Sequence, residues 1–434
     1  MQDDVLWAAP VAAGPVHATV AVPGSKSLAN RALLLAAGAV GRTTVSGLPA
    51  GSRDLDLMLG ALAALGSSVA AESSDSVTIT PGSRDGAVTV DCGLAGTVMR
   101  FVPPAAALTA ATTRFDGDPR ARERPMGPML GSLRELGISV DSPDGRLPFT
   151  IAGTGQVPGG EVVVDASASS QFVTALLLSA ARFDSGVTVR HRGGPVPSLP
   201  HIDMTVRMLA EHGVVVESDT TDRRHCAWRV EPGPIAARDR LVEPDLSNAT
   251  PFVALAVATS GMVLIRDWPA DSLQPAQPVI EVFSQLGAAF AVQPEGMAVT
   301  GTGRIRGIDR DLRDLGELVP TIAALCALAD SPSRLRGIGH IAGHETNRLT
   351  ALATELSGLG ADVTADDDGL TIRPAPLRGG IWRTYHDHRM ATCGAILGSV
   401  VPGIQIENVA TTAKTFPDFA TVWRDTIDTS RGAR

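Results

Sequence analysis

Apolar residues recur along this 434-residue chain in two interleaved helical patterns. The first is amphipathic, and each copy runs out at a Leu-Gly or His-Gly pair before a short alternating segment. The copies are Leu62-x-x-Leu65-Gly66, Leu133-x-x-Leu136-Gly137, Leu209-x-x-His212-Gly213, Phe283-x-x-Leu286-Gly287 and Leu356-x-x-Leu359-Gly360. Successive glycines lie 71, 76, 74 and 73 residues apart. Glycine just past a helix reaches the left-handed region without a Cβ clash, so each pair predicts a helix C-terminus. Val77-Thr78-Ile79 and Leu370-Thr371-Ile372 then read as strands.

The second pattern is apolar on most helix faces, which predicts burial. Its copies open on polar clusters near Ser27, Gly96, Ser170, Ser247, Glu317 and His388. With a weaker sixth amphipathic segment at residues 416–427, the chain reads as six copies of one α/β unit. The expected architecture is a helical core wrapped by sheets, in two lobes of three units. For a single helix, a polar cluster at its start is ordinary capping by Ser, Asp or Asn. Lys26, Arg31, Arg100, Gln171, Glu317 and Arg389 bring more charge to these starts than capping requires.

Composition narrows the function. A net charge of −9 and a single tyrosine argue against a nucleic-acid surface, which needs a basic face and stacking aromatics. Any anion site must be a local basic cluster. Among 37 basic residues only Lys26 and Lys414 are lysines, both inside dense polar motifs where a compact three-donor ammonium is useful. The four cysteines, Cys92, Cys226, Cys326 and Cys393, follow neither a disulfide nor a zinc spacing. The start Met1-Gln2-Asp3-Asp4 lacks the features of a signal peptide, and no run of about 18 apolar residues occurs, so a soluble cytoplasmic protein is expected.

The chemistry-bearing stretches follow in order. Residues 22–31 place Lys26, Ser25, Ser27 and Arg31 at a helix start, whose unpaired N–H groups and partial positive charge suit an anion. Residues 91–100 put Gly96 where backbone amides can approach a ligand. Arg120, Arg122 and Arg124 crowd one loop; that is either a solvated arginine loop or a phosphate and carboxylate grip. Asp165 to Gln171 gathers hydroxyls and an amide suited to a polyol phosphate, and Pro197 to His201 forms a rigid loop with one hydroxyl and one imidazole.

The segments PGSKS and NR (23–31), AGTVMR (95–100), RERPM (122–126), SASSQF (167–172), PSLPH (197–201), HETNRL (344–349), DHRM (387–390) and TAKTFPDF (412–419) span nearly the whole chain. Together they resemble the EPSP synthases, the 3-phosphoshikimate 1-carboxyvinyltransferases of the enolpyruvyl transferase family. The resemblance implies a two-lobed inside-out α/β barrel with three βαβαββ units per lobe. One lobe would comprise residues 1–22 and 243–434, the other 23–242. It implies transfer of the enolpyruvyl group of phosphoenolpyruvate to the 5-hydroxyl of shikimate 3-phosphate, with release of phosphate and no metal or organic cofactor. The partners implied are these two small molecules, with no nucleic acid, no membrane, and a monomeric enzyme.

Carried over position by position, the resemblance gives Lys26, Ser27, Arg31, Ser169, Ser170, Gln171, Ser198, Glu317 and His344 to shikimate 3-phosphate. It gives Lys26, Gly96, Arg124, Gln171, Arg348, Arg389 and Lys414 to phosphoenolpyruvate. Both substrates carry a carboxylate and a phosphate, so bringing them together costs Coulomb repulsion unless cations surround them. Glu317 is expected to be the base toward the hydroxyl, and Glu345 the group handling the methylene proton, with Lys26 beside both substrates.

The chain departs from the family pattern at several places. Glu317 stands where aspartate is common, His344 where lysine is, Asn347 where aspartate is, Leu94 where asparagine is, His201 where tyrosine is, and Ala29 where Ser or Thr is. His344 replaces a fixed ammonium by a titratable ring, which predicts a steeper pH dependence above neutrality than a lysine-bearing relative shows. The rivals are transfer to a UDP-sugar, whose enzymes typically carry a cysteine or aspartate in the loop occupied here by residues 114–124, and a P-loop phosphotransferase. The P-loop pattern GxxxxGKS/T fails because position 19 is Thr. A non-catalytic repeat scaffold would leave Arg124, Glu345, Arg389 and Lys414 unexplained.

Overall fold

The structure is a computed structural model in which residues 6–432 are described. Six sheets occur among them, and one repeat shows the plan. Strand Asp85–Asp91 leads into the buried helix Gly96–Ala107 and then strand Ala110–Asp116; helix Gly127–Glu135 follows, then strands Ser139–Asp141 and Phe149–Ala152. The first two strands pair in parallel, which requires a crossover, and the buried helix supplies it. The last two form an antiparallel pair that docks on Ala110–Asp116. The sheets beginning at Gly160–Val164 and Asp309–Asp311 repeat this order.

Two copies exchange their first strand. His17–Val20 precedes the Lys26–Gly38 helix in sequence but pairs in parallel with Met262–Arg266. Arg240–Leu241 precedes the Leu246–Thr259 helix but pairs in parallel with Thr43–Ser46. The chain accordingly divides into two compact units, Met1–Pro23 with Glu243–Arg434, and Gly24–Val242. In the sixth sheet Leu6–Ala8 pairs antiparallel with Ile404–Glu407, which lies parallel to Gly380–Trp382.

Within Gly24–Val242 the helices Lys26–Gly38, Gly96–Ala107 and Gln171–Ala180 pack on one another. In the other unit Leu246–Thr259, Val319–Ala327 and His388–Gly398 do the same. Every residue of Val319–Ala327 and of His388–Gly398 is buried, as their all-round apolarity predicts. Phe252 packs against Phe416, Phe419 and Trp423, fixing the last helix, Phe419–Gly432, to this core.

The five glycines that the amphipathic pattern marks as helix stops all take positive φ: Gly66 107°, Gly137 82°, Gly213 79°, Gly287 112° and Gly360 112°. Two boundaries differ from the sequence expectation. Glu317 lies in a 3-10 turn, Arg313–Leu318, and the α-helix starts only at Val319. Leu315 leaves the helical region there (φ −124°, ψ 28°), and Pro320 occupies the first turn, where its missing N–H costs nothing. The final helix begins at Phe419, because residues 409–414 form a separate 3-10 turn and Pro417 precedes the helix. No helix among the described residues is long and apolar enough to cross a membrane.

Candidate active site

In the unit Gly24–Val242, the N-terminal halves of the three buried helices are tied together. Asn30 Nδ2 donates to Thr97 Oγ1 at 2.6 Å, and Arg100 Nη1 donates to Gln171 Oε1 at 2.6 Å. The Arg100 guanidinium also lies over the Phe172 ring, 5.4 Å from its centroid. Lys26 Nζ stands 3.2 Å from the buried Asp54 carboxylate. Gly96 is pressed against the guanidinium of Arg124: a Cβ there would lie 3.1 Å from both Nη1 and Nη2 and 3.3 Å from Arg100 Nη1. Arg124 is buried, yet its Nε and Nη1 have no hydrogen-bond partner among the described residues. A buried guanidinium with idle donors is costly unless an anion completes it.

Ser169 Oγ accepts from Gln171 N at 3.3 Å. Ser170 and Ser198 precede helices without capping them through their hydroxyls. Ser198 adopts φ 52° and ψ 41°, a left-handed conformation uncommon for a residue with a Cβ. Arg31, expected beside the shikimate phosphate, is 1% exposed. Its Nε donates to Thr205 Oγ1 (2.8 Å), Nη1 to Ser27 O (2.8 Å) and Nη2 to His201 O (2.9 Å), so it braces the Lys26 helix against Leu199–Glu211.

The other unit holds an ion network. Arg348, at the start of helix Arg348–Gly358, donates from Nε and Nη2 to Asp387 (2.8 and 3.1 Å), and from Nη2 to Glu345 Oε2 (3.0 Å). Lys414 Nζ donates to Glu345 Oε1 at 2.5 Å. Burial, the largest influence on Arg348, pulls its pKa down; Asp387, Glu345 and the more distant Glu317 outweigh it, so the guanidinium ends above its ordinary value. Arg389 Nη1 donates to Ser247 O (2.8 Å) and Asn248 Oδ1 (3.3 Å), and its Nη2 donates to Ser247 Oγ. Asp387 accepts from Arg389 N at 2.8 Å, capping the helix that carries that arginine. The structure thus gathers Glu345, Arg348 and Lys414, with His344 attached and Glu317 within electrostatic reach.

His344 does not stand in for an ammonium here. Its Nδ1 lies 2.8 Å from Arg348 Nη1, and a guanidinium can only donate, so Nδ1 accepts and the ring is neutral in this arrangement. The ring of His340 meets it edge-on at 5.7 Å between centroids. Burial pushes the His340 pKa down to about 4. Sequence reasoning passed over Asp387 and Asp54 as site residues. Asp387 had a signal, an acidic N-cap directly before two basic residues, while Asp54 had none. No group of three or more His, Cys, Asp or Glu among the described residues is placed to hold a metal ion.

Comparison with known proteins decides the lineage. The family described as EPSP synthase (3-phosphoshikimate 1-carboxyvinyltransferase) matches residues 11–423. The chain belongs to the EPSP synthase family. A relative from Kocuria rhizophila, named 3-phosphoshikimate 1-carboxyvinyltransferase, is 53% identical, the match covering 98% of this chain and 97% of that one. Two solved structures of EPSP synthase from Acinetobacter baumannii superpose with TM-scores of 0.77 and 0.76 at 23% identity, covering 95% and 94% of this chain and 96% of theirs. They establish that the EPSP synthase fold is present here.

Proposed function

We propose that this chain transfers the enolpyruvyl group of phosphoenolpyruvate to the 5-hydroxyl of shikimate 3-phosphate, releasing phosphate. Arg124 supports the reading best, since a buried guanidinium with unpartnered Nε and Nη1, packed on a glycine, is built to receive an anion. Arg348, Arg389 and Lys414 bring three cationic groups to the same substrate, each of them already held by hydrogen bonds to its surroundings. Lys26, Gly96 and Gln171 complete the phosphoenolpyruvate set. Lys26, Ser27, Ser169, Ser170, Gln171, Ser198 and Glu317 take shikimate 3-phosphate; His344 adds its Nε2–H and not a charge, and Arg31 acts by holding Ser27 in place.

The reaction needs a proton added to the methylene carbon and one taken from the attacking hydroxyl; elimination then takes a proton back from the resulting methyl carbon and delivers one to the departing phosphate. Glu345, hydrogen-bonded to Lys414, handles the methylene proton, and Glu317 receives the hydroxyl proton. The enzyme works as a cytoplasmic monomer without cofactor, membrane or nucleic acid. Replacing Glu345 or Glu317 by glutamine should cut kcat by about two to four orders of magnitude; Glu345→Gln should also lower the unfolding temperature, because it breaks a buried ion network from one side, while the chain still folds. Near-normal turnover in either variant removes that residue from the mechanism.

A further inference from the structure

We propose that Tyr385, the single tyrosine of the chain, is a positioning residue for the arginine pair Arg348 and Arg389, acting through Glu355 and a strained loop. The inference rests on the reading that these arginines hold phosphoenolpyruvate. The loop joins strand Gly380–Trp382 to helix His388–Gly398. Within it Tyr385 and His386 both take positive φ, 53° and 57°. Each left-handed residue with a Cβ is held against its preference, and two in succession relax unless the surroundings fix them.

Glu355 fixes them. It is buried on the helix Arg348–Gly358, about two turns beyond Arg348. Tyr385 Oη donates to its Oε1 at 2.6 Å, and Arg383 N donates to its Oε2 at 3.0 Å. Both carboxylate oxygens are therefore spent on the loop. The same helix grips the loop again at its other end, where Arg348 reaches both oxygens of Asp387. One rigid helix thus ties the loop at two points, with the strained pair between them. Asp387 sets the position of Arg348 through its side chain and that of Arg389 by capping its helix, so the loop's conformation sets the separation of the two guanidinium groups. Burial, and then the bond to Glu355, push the Tyr385 hydroxyl up to about 12, so it stays a donor over the working pH range.

Tyr385→Phe removes one hydrogen bond to a carboxylate while keeping the ring. The expected result is a KM for phosphoenolpyruvate raised about ten-fold, the size of a charge-assisted hydrogen bond, with kcat and the KM for shikimate 3-phosphate within about two-fold. Glu355→Gln, which keeps one acceptor oxygen, should fall between wild type and Tyr385→Phe in the same parameter. A pH jump on the wild-type enzyme to about pH 11 should produce only about a tenth of the full tyrosinate absorbance promptly, whereas a free phenol with a pKa near 10 gives about nine-tenths; because there is one tyrosine, the signal is unambiguous. Arg348→Lys serves as the control. A phosphoenolpyruvate KM unchanged in Tyr385→Phe but raised in Arg348→Lys overturns the positioning role and leaves the site reading intact. No change in either variant overturns both. If Tyr385→Phe does not fold, a nearly complete prompt tyrosinate signal in the wild type, or a Glu355→Gln enzyme with wild-type KM, overturns the proposal on its own.

Discussion

Asp387→Asn isolates the contact on which the ion network depends. Asp387 is 0% exposed, grips Arg348 at 2.8 and 3.1 Å, and accepts from Arg389 N at 2.8 Å. Asparagine keeps the shape and the capping oxygen but removes the charge, and its amide turns a donor toward a guanidinium that has only donors. Breaking a buried ion pair from one side costs about 3–5 kcal/mol, because the remaining charge stays desolvated. Glu345, still 3.0 Å from Arg348, offsets part of this, which places the expected loss near 3 kcal/mol. For a unit of roughly 200 residues, each kcal/mol moves the transition by about 2–4 °C, so calorimetry should show a Tm lower by about 6–12 °C. The KM for phosphoenolpyruvate should rise as Arg348 loses its fixed orientation. Adding Arg348→Met removes the uncompensated charge and should restore most of the Tm without restoring phosphoenolpyruvate binding. A Tm drop under about 2 °C, or a double variant no more stable than the single one, would refute the reasoning.

Other consequences follow from individual contacts. Arg124→Met should weaken phosphoenolpyruvate binding by about two orders of magnitude in a titration, yet leave Tm unchanged or raised, because the lost guanidinium had idle donors; a lowered Tm with normal binding contradicts the anion-site reading. His340 ionises at about 4 when folded against 6.5 unfolded. The unfolded chain therefore takes up the extra proton between those values, and stability should decline by up to roughly 3 kcal/mol as pH falls through that window. His340→Gln should flatten this decline in urea unfolding, and an unaltered slope would show that the ring does not cause it.

What the sequence revealed depended on how local each signal was. The glycine stops at 66, 137, 213, 287 and 360 were legible because a C-cap is decided within one turn. The all-round apolar helices were legible for the same reason, since burial on every face shows directly in the residue pattern. The strand exchange between His17–Val20 and Arg240–Leu241 was not, because parallel pairing joins segments more than 190 residues apart and leaves no mark in either. Lys26, Arg124 and Lys414 stood out as charges in dense motifs, yet the side chains that aim such groups did not. Asp387, Glu355 and Tyr385 look like a helix cap, a surface glutamate and a loop aromatic until the fold shows what they hold. Arg31 is the converse: a basic residue in the strongest motif whose described donors are turned inward on the fold.

The most direct test is phosphate release from phosphoenolpyruvate by the purified enzyme, measured alone, with shikimate 3-phosphate, and with a UDP-sugar acceptor. Release that requires shikimate 3-phosphate, and yields one enolpyruvyl ether for each phosphate, is the expected result. Release with the UDP-sugar in its place, or release that needs no acceptor, would contradict the account.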